Sequence, residues 1–146
     1  MAEPKKYIKN ILTSYQSGFE LPAYRNKMNP EFVKRVVNLD AKTVPGAEFY
    51  SEAMWILPGD NSEKGMTQYS SHTHNWGEFI GFFGFNYENV KDLGAEIEFT
   101  VDNQKYLITD SFGAYIPPGV QHGPLIIRNV KKPIMHFMAG PTTRYE

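Results

Sequence analysis

Apolar and polar residues alternate through most of the chain from Val33 onward, and a period of two is the signature of a half-buried strand. The clearest case is 95–101, where Ile97, Phe99 and Val101 stand against Glu96, Glu98 and Thr100. Asp102-Asn103-Gln104 follows as a turn and 106–109 returns, which predicts a hairpin. Further strands are expected over 33–37, 49–57, 68–74, 79–85, 114–116, 125–130 and 134–139. Pro58-Gly59 and Pro117-Pro118-Gly119 end two of them, 60–65 is a polar loop, and Asn75-Trp76-Gly77 joins two more. Many short strands divided by Gly and Pro turns predict an all-β sandwich or barrel.

Residues 1–32 do not share the pattern. Tyr7, Ile8, Ile11 and Leu12 fall on one face of a short helix over 5–14, after which Gly18, Pro22 and Pro30 break the chain. This segment is expected to be an arm, in part helical, lying over the barrel or over a partner subunit. Without a repeat, a low-complexity tract or a linker, 33–146 is expected to form one barrel domain.

Composition narrows the function classes. A length of 146 residues suits one domain, and 41% hydrophobic with 14% aromatic residues is enough for a core. A net charge of -1 supplies no basic stripe, so neither nucleic acid nor an anionic membrane is an expected partner. Cysteine is absent, which removes disulfides, thiolate ligands and a thiol nucleophile. No continuous apolar run follows Lys5 and Lys6, and none approaches the roughly 18 residues of a membrane span, so a cytoplasmic protein without a signal peptide is expected.

The chemistry concentrates in two places: His72-Thr73-His74-Asn75-Trp76-Gly77-Glu78, and Pro117-Pro118-Gly119-Val120-Gln121-His122. Strand periodicity turns His72 and His74 to one face, Glu78 opens the next strand beside them, and the Pro-Pro-Gly turn aims His122. His72, His74, Glu78 and His122 are the candidate metal ligands. Imidazole and carboxylate together suit Fe, Mn, Ni, Cu or Zn, and a six-coordinate ion would keep open positions, the mark of a catalytic site.

Residues around this set follow from parity. Gln68 and Ser70 share the inner face with His72; Ile80 and Phe82 share it with Glu78. The candidate substrate pocket is Gln68, Phe82, Tyr115 and Arg128: a buried amide that needs partners, an apolar wall for which core packing is the commoner role, an aromatic at the mouth, and a cation for a carboxylate. Trp76, in the turn, would cover the site. His136, outside both motifs, is a candidate catalytic residue: a general acid or base, a group supporting the ligands from behind, or a satisfied core histidine; a pKa near neutrality would suit proton transfer.

The spacing resembles the cupin superfamily. Its first motif is matched by Gly65, His72, His74, Glu78 and Gly84, its second by Pro117, Gly119 and His122, and the resemblance covers about 50–140. It implies a double-stranded β-helix, a jelly-roll barrel with one divalent transition metal in its mouth, held by His72, His74, Glu78 and His122. Iron is preferred, with Mn, Ni, Zn or Cu as alternatives. The implied function is action on a small organic molecule, first as a non-haem dioxygenase. The alternatives are a non-redox lyase, isomerase or hydrolase, or ligand binding without turnover. Edge strands need cover, so a homodimer with crossing arms is expected.

Overall fold

The computed structural model describes residues 5–16, 21–59 and 64–145. Nine strands lie among them: β1 (Val33–Leu39), β2 (Tyr50–Ile56), β3 (Met66–Tyr69), β4 (Glu78–Phe83), β5 (Asp92–Val101), β6 (Gln104–Asp110), β7 (Phe112–Ile116), β8 (His122–Arg128) and β9 (Ile134–Gly140). They form two antiparallel sheets, in the orders β1-β2-β9-β4-β7 and β3-β8-β5-β6. The pair makes a jelly-roll barrel, as the alternation predicts.

Alternation explains which residues enter the barrel. β2 buries Tyr50, Glu52, Met54 and Ile56, and β9 buries Ile134, His136, Met138 and Gly140, each at every second position. β4 contributes Glu78, Ile80 and Phe82. Ile97 and Phe99 of β5 and Leu125 and Ile127 of β8 line the opposite sheet. Register then sets rows across the strands: Ile80, Met138 and Glu52 in one, Phe82, His136 and Met54 in the next. Each fully buried large apolar side chain here stabilises the fold by about 1.5–3 kcal/mol. The β5–β6 hairpin turns through Asp102 and Asn103, whose φ of 49° and 64° suit the short primed turns of hairpins.

Two sequence expectations need correction. The helix over 5–14 is a single 3-10 turn, Ile8–Asn10, without a side-chain cap at its start. Tyr7, Ile8 and Ile11 are more than half exposed, so the apolar face has nothing to pack on, and an isolated helix of this length is marginal in water. The strand over 68–74 stops at Tyr69. A register shift between Thr67 and Tyr69 puts both Gln68 and Tyr69 inside, and Ser70, expected inside by parity, is exposed. Gly18 and 60–63 of the polar loop lie outside the described residues.

The arm does lie on the barrel. Leu21, Tyr24 and Met28 pack against the core, and Arg25 bridges to Tyr69. The Ser70 amide donates to the Tyr24 carbonyl at 2.9 Å and the Asn26 amide to that of Gln68 at 2.8 Å. The arm thus extends the short β3 edge beside the mouth of the barrel.

Candidate metal centre

His72 and His122 face each other through reciprocal backbone hydrogen bonds of 2.9 and 3.0 Å, an isolated bridge beyond the end of β3. The Pro117-Pro118-Gly119 turn fixes this register, because the Gly119 amide donates to the His74 carbonyl at 2.9 Å. Gly123, at φ +102°, carries β8 past 70–71 so closely that a Cβ there would lie 2.6 Å from the Ser70 carbonyl oxygen. Only glycine serves at that position.

The ligand atoms of His72, His74 and His122 all lie within 4.8 Å of one another. Each Nδ1 is spoken for locally: by the Ser70 carbonyl at 2.8 Å, the Trp76 carbonyl at 2.7 Å and the Val120 carbonyl at 2.9 Å, respectively. A carbonyl only accepts, so each Nδ1 carries the proton and each Nε2 presents a lone pair. Such outer hydrogen bonds are the usual means of orienting metal-binding imidazoles. Stacking fixes two of the ring planes as well: Tyr24 lies on His72 at 3.5 Å and Trp76 on His74 at 3.9 Å. Trp76 covers the site, as its place in the turn suggests.

Glu78 opens β4 and points at the same spot. Its Oε1 is 3.6 Å from His74 Nε2 and 3.5 Å from His122 Nε2. Two buried imidazole lone pairs therefore oppose a carboxylate oxygen, and neither Nε2 has a hydrogen-bond partner. That juxtaposition is repulsive unless a cation stands between the groups. The donor set fits a divalent transition metal. His72 is held neutral, its pKa lowered to about 4, chiefly by burial.

The remaining sequence candidates divide. Gln68 and Phe82 are fully buried inside the barrel. Phe82 stacks on His136 at 3.8 Å, which is core packing. Tyr115 is not brought to the centre: it is 67% exposed on the outer face of β7. Arg128 is not brought there either, because it pairs across the outer face with Glu98 at 3.0 Å and Glu96 at 3.9 Å. Parity separates both from the inner face, since Ile116 and Ile127 beside them point inward.

His136 is fully buried, with its Nδ1 donating to the Gly81 carbonyl at 2.8 Å. Burial lowers its pKa to about 4, away from the near-neutral value that would suit proton transfer. The group is a neutral acceptor at pH 7. The unfolded residue titrates near 6.5, so between pH 6.5 and 4 the unfolded chain binds more protons. Stability is expected to fall as pH drops through that window, by about 3 kcal/mol from this group. Urea midpoints between pH 7 and 4 should show a shallower pH dependence, by close to one proton, in His136→Gln than in the wild type. Equal slopes would remove His136 as the cause.

A second, buried cluster joins the arm to β1, β2 and Tyr145, and sequence reasoning missed it. Arg25 donates to Glu52 Oε1 at 2.9 Å and to the Tyr145 hydroxyl at 3.1 Å, and Arg35 shares Glu52 Oε1 at 2.9 Å. The Tyr50 hydroxyl donates to Glu52 Oε2 at 3.2 Å, and Tyr50 stacks on Tyr145 at 4.0 Å. Arg25 and Glu52 have fully buried side chains. One signal was available: Glu52 sits at an inward position of an alternating strand, where a carboxylate requires a buried partner. Two open surface clefts, of about 500 and 480 Å³, lie elsewhere, by Gly94 and Lys131 and by Lys27 and Phe32.

No family model matches the chain, and no curated protein matches it in sequence. Solved structures do share its architecture. A recombinant oxalate oxidase in complex with glycolate aligns over 94% of this chain and 62% of its own, with a TM-score of 0.56 and 13% identity. A second oxalate oxidase structure, with a substrate analogue, gives 0.53 over 90% and 60%, at 13% identity. A cupin protein from Bacteroides fragilis aligns over 84% and 86%, with a TM-score of 0.47 and 16% identity. The chain thus spans about three fifths of the oxalate oxidase chains. At these identities the likeness establishes the fold. Among the described residues no helix is long and apolar enough to cross a membrane.

Proposed function

We propose that this chain, a barrel with the cupin fold, is a metal-dependent enzyme of the non-haem dioxygenase type acting on a small organic molecule. One observation carries the reading: three imidazoles with Nδ1 committed to carbonyls turn their Nε2 atoms, together with the Glu78 carboxylate, onto one point. Buried lone pairs aimed at each other have no structural use without a cation. A divalent metal bound there supplies a redox or Lewis-acid centre with positions left for small ligands.

The chain's own residues would do the rest. His72, His74, His122 and Glu78 bind the ion, with iron preferred. Trp76 and Tyr24 hold two of the rings and exclude water from their faces. Ile80, Phe82 and Phe99 give the interior an apolar wall, as small-molecule sites commonly have. His136, neutral and with Nε2 unpartnered, can accept a proton or a hydrogen bond inside the barrel. The oxalate oxidases share only the fold, and fold does not name a substrate. A homodimer and a cytoplasmic setting belong to the same proposal; a monomer by light scattering at micromolar concentration would remove the first.

The test is oxygen uptake by iron-loaded protein against a panel of phenols, keto acids and hydroxy acids. Substrate-dependent uptake, absent in His72→Ala/His122→Ala, is the expected result. Turnover without oxygen on zinc or manganese would replace the dioxygenase with a lyase or isomerase. Ligand binding without turnover on any metal would leave a binding protein.

A further inference from the structure

One buried polar group beside the imidazoles, the Tyr69 hydroxyl, has no partner among the described residues and no part in the reading above. The residue is 2% exposed. Its ring stands edge-on to His72 at 5.0 Å and to His122 at 6.2 Å, and edge-on to Phe99 at 6.3 Å. Four elements therefore fix it: β3, the segment of the first two imidazoles, β8 and β5. A buried hydroxyl without a partner is costly, and protein interiors rarely tolerate one without use. Its neighbour Gln68 is in the same condition. The Gln68 amide donates only to Met138 Sδ at 3.8 Å, and its Oε1 has no partner.

We infer that Tyr69 is the substrate-contacting residue of this centre, its hydroxyl donating a hydrogen bond to an oxygen of a small carboxylate- or oxo-bearing acid held at the imidazoles. The inference rests on the metal reading above and names the ligand class for it. A phenol titrates at about 10 in ordinary surroundings, so the hydroxyl is a donor at neutral pH. An acid is favoured over an amine for the same reason: the free group is a donor and looks for an acceptor. The Gln68 Oε1, one residue before Tyr69 in β3, is a second buried acceptor without a partner among the described residues.

Cobalt(II)-loaded protein tests this through its visible absorption bands, with lactate and imidazole as probes. Lactate offers acceptor oxygens; imidazole gives its lone pair to the metal and has none left for Tyr69. In Tyr69→Phe the ring and its packing are kept and only the oxygen goes. The lactate Kd is expected to rise about 10-fold or more, with the imidazole Kd and cobalt content unchanged and the Tm no lower than the wild type's. Equal weakening of both probes, or loss of cobalt, would make Tyr69 a support of the metal and overturn the proposal. No change in either Kd, or no lactate binding to the wild type, would overturn it too. Failure of the metal reading itself shows separately, as absence of cobalt in the wild type.

Discussion

The His72→Ala/His122→Ala double variant is expected to carry no metal, while wild-type protein purified without added metal carries close to one equivalent. Removing even a group that only orients a ligand costs roughly 10–100-fold in metal affinity, and here two of three imidazoles go. The two substitutions differ in their structural cost. His72 is partly exposed, so its truncation leaves little void; His122 is fully buried, and its loss also removes packing against Tyr69 and Phe99. The single His72→Ala variant therefore separates ligation from folding. Its Tm without metal should fall less than that of His122→Ala, by the loss of the Tyr24 stack, and the stabilisation that added metal gives the wild type should be much reduced. Elemental analysis alongside thermal melts reads both quantities. Metal retained by the double variant, or none taken up by the wild type on reconstitution, would sink the centre.

Glu52→Gln should be the most damaging single substitution away from the imidazoles. It leaves Arg25 fully buried without a counter-charge, the situation in which breaking a buried pair costs about 3–5 kcal/mol. For a chain of this size that is a fall in Tm of roughly 10 °C. Arg35 softens the loss little, since it is partly exposed and can rehydrate. Stability is only half of the expected result. Arg25 is joined to Tyr24, whose ring lies on His72, so loosening the arm should weaken metal binding as well, by roughly 10-fold. Arg25→Met/Glu52→Met removes both charges and should recover part of the stability, because apolar replacements of buried pairs are often well tolerated. A double variant less stable than Glu52→Gln would show that the hydrogen bonds to Tyr50 and Tyr145 matter more than the charge.

What the sequence made legible follows from period two. Alternation located β2, β4, β5, β8 and β9, and parity from Glu78 correctly put Ile80 and Phe82 inside. The two-segment spacing brought the three histidines and Glu78 together before any coordinates. Parity failed at Ser70 because a one-residue irregularity at Gln68 shifts every later side chain, and nothing in the local composition announces a bulge. Tyr115 and Arg128 failed for the opposite reason: parity was available, and their inward-pointing neighbours Ile116 and Ile127 already assigned them to the outer face. An arm over the barrel was among the expectations, but its contacts were illegible. Tyr24 and Arg25 lie in a segment without periodicity, and their contacts with His72, Glu52 and Tyr145 span from 27 to 120 residues of sequence.

The stack of Trp76 on His74 makes the protein its own optical reporter. The chain has two indoles, and they stand in different places: Trp76 buried against an imidazole of the centre, Trp55 beside Phe85. An open-shell ion binding within a few ångströms of Trp76 provides an efficient quenching route for its emission, whereas Trp55 keeps a constant background. Titration curves for iron, manganese or nickel can therefore be followed by intrinsic fluorescence, without a dye or a label, and Trp76→Phe supplies the blank.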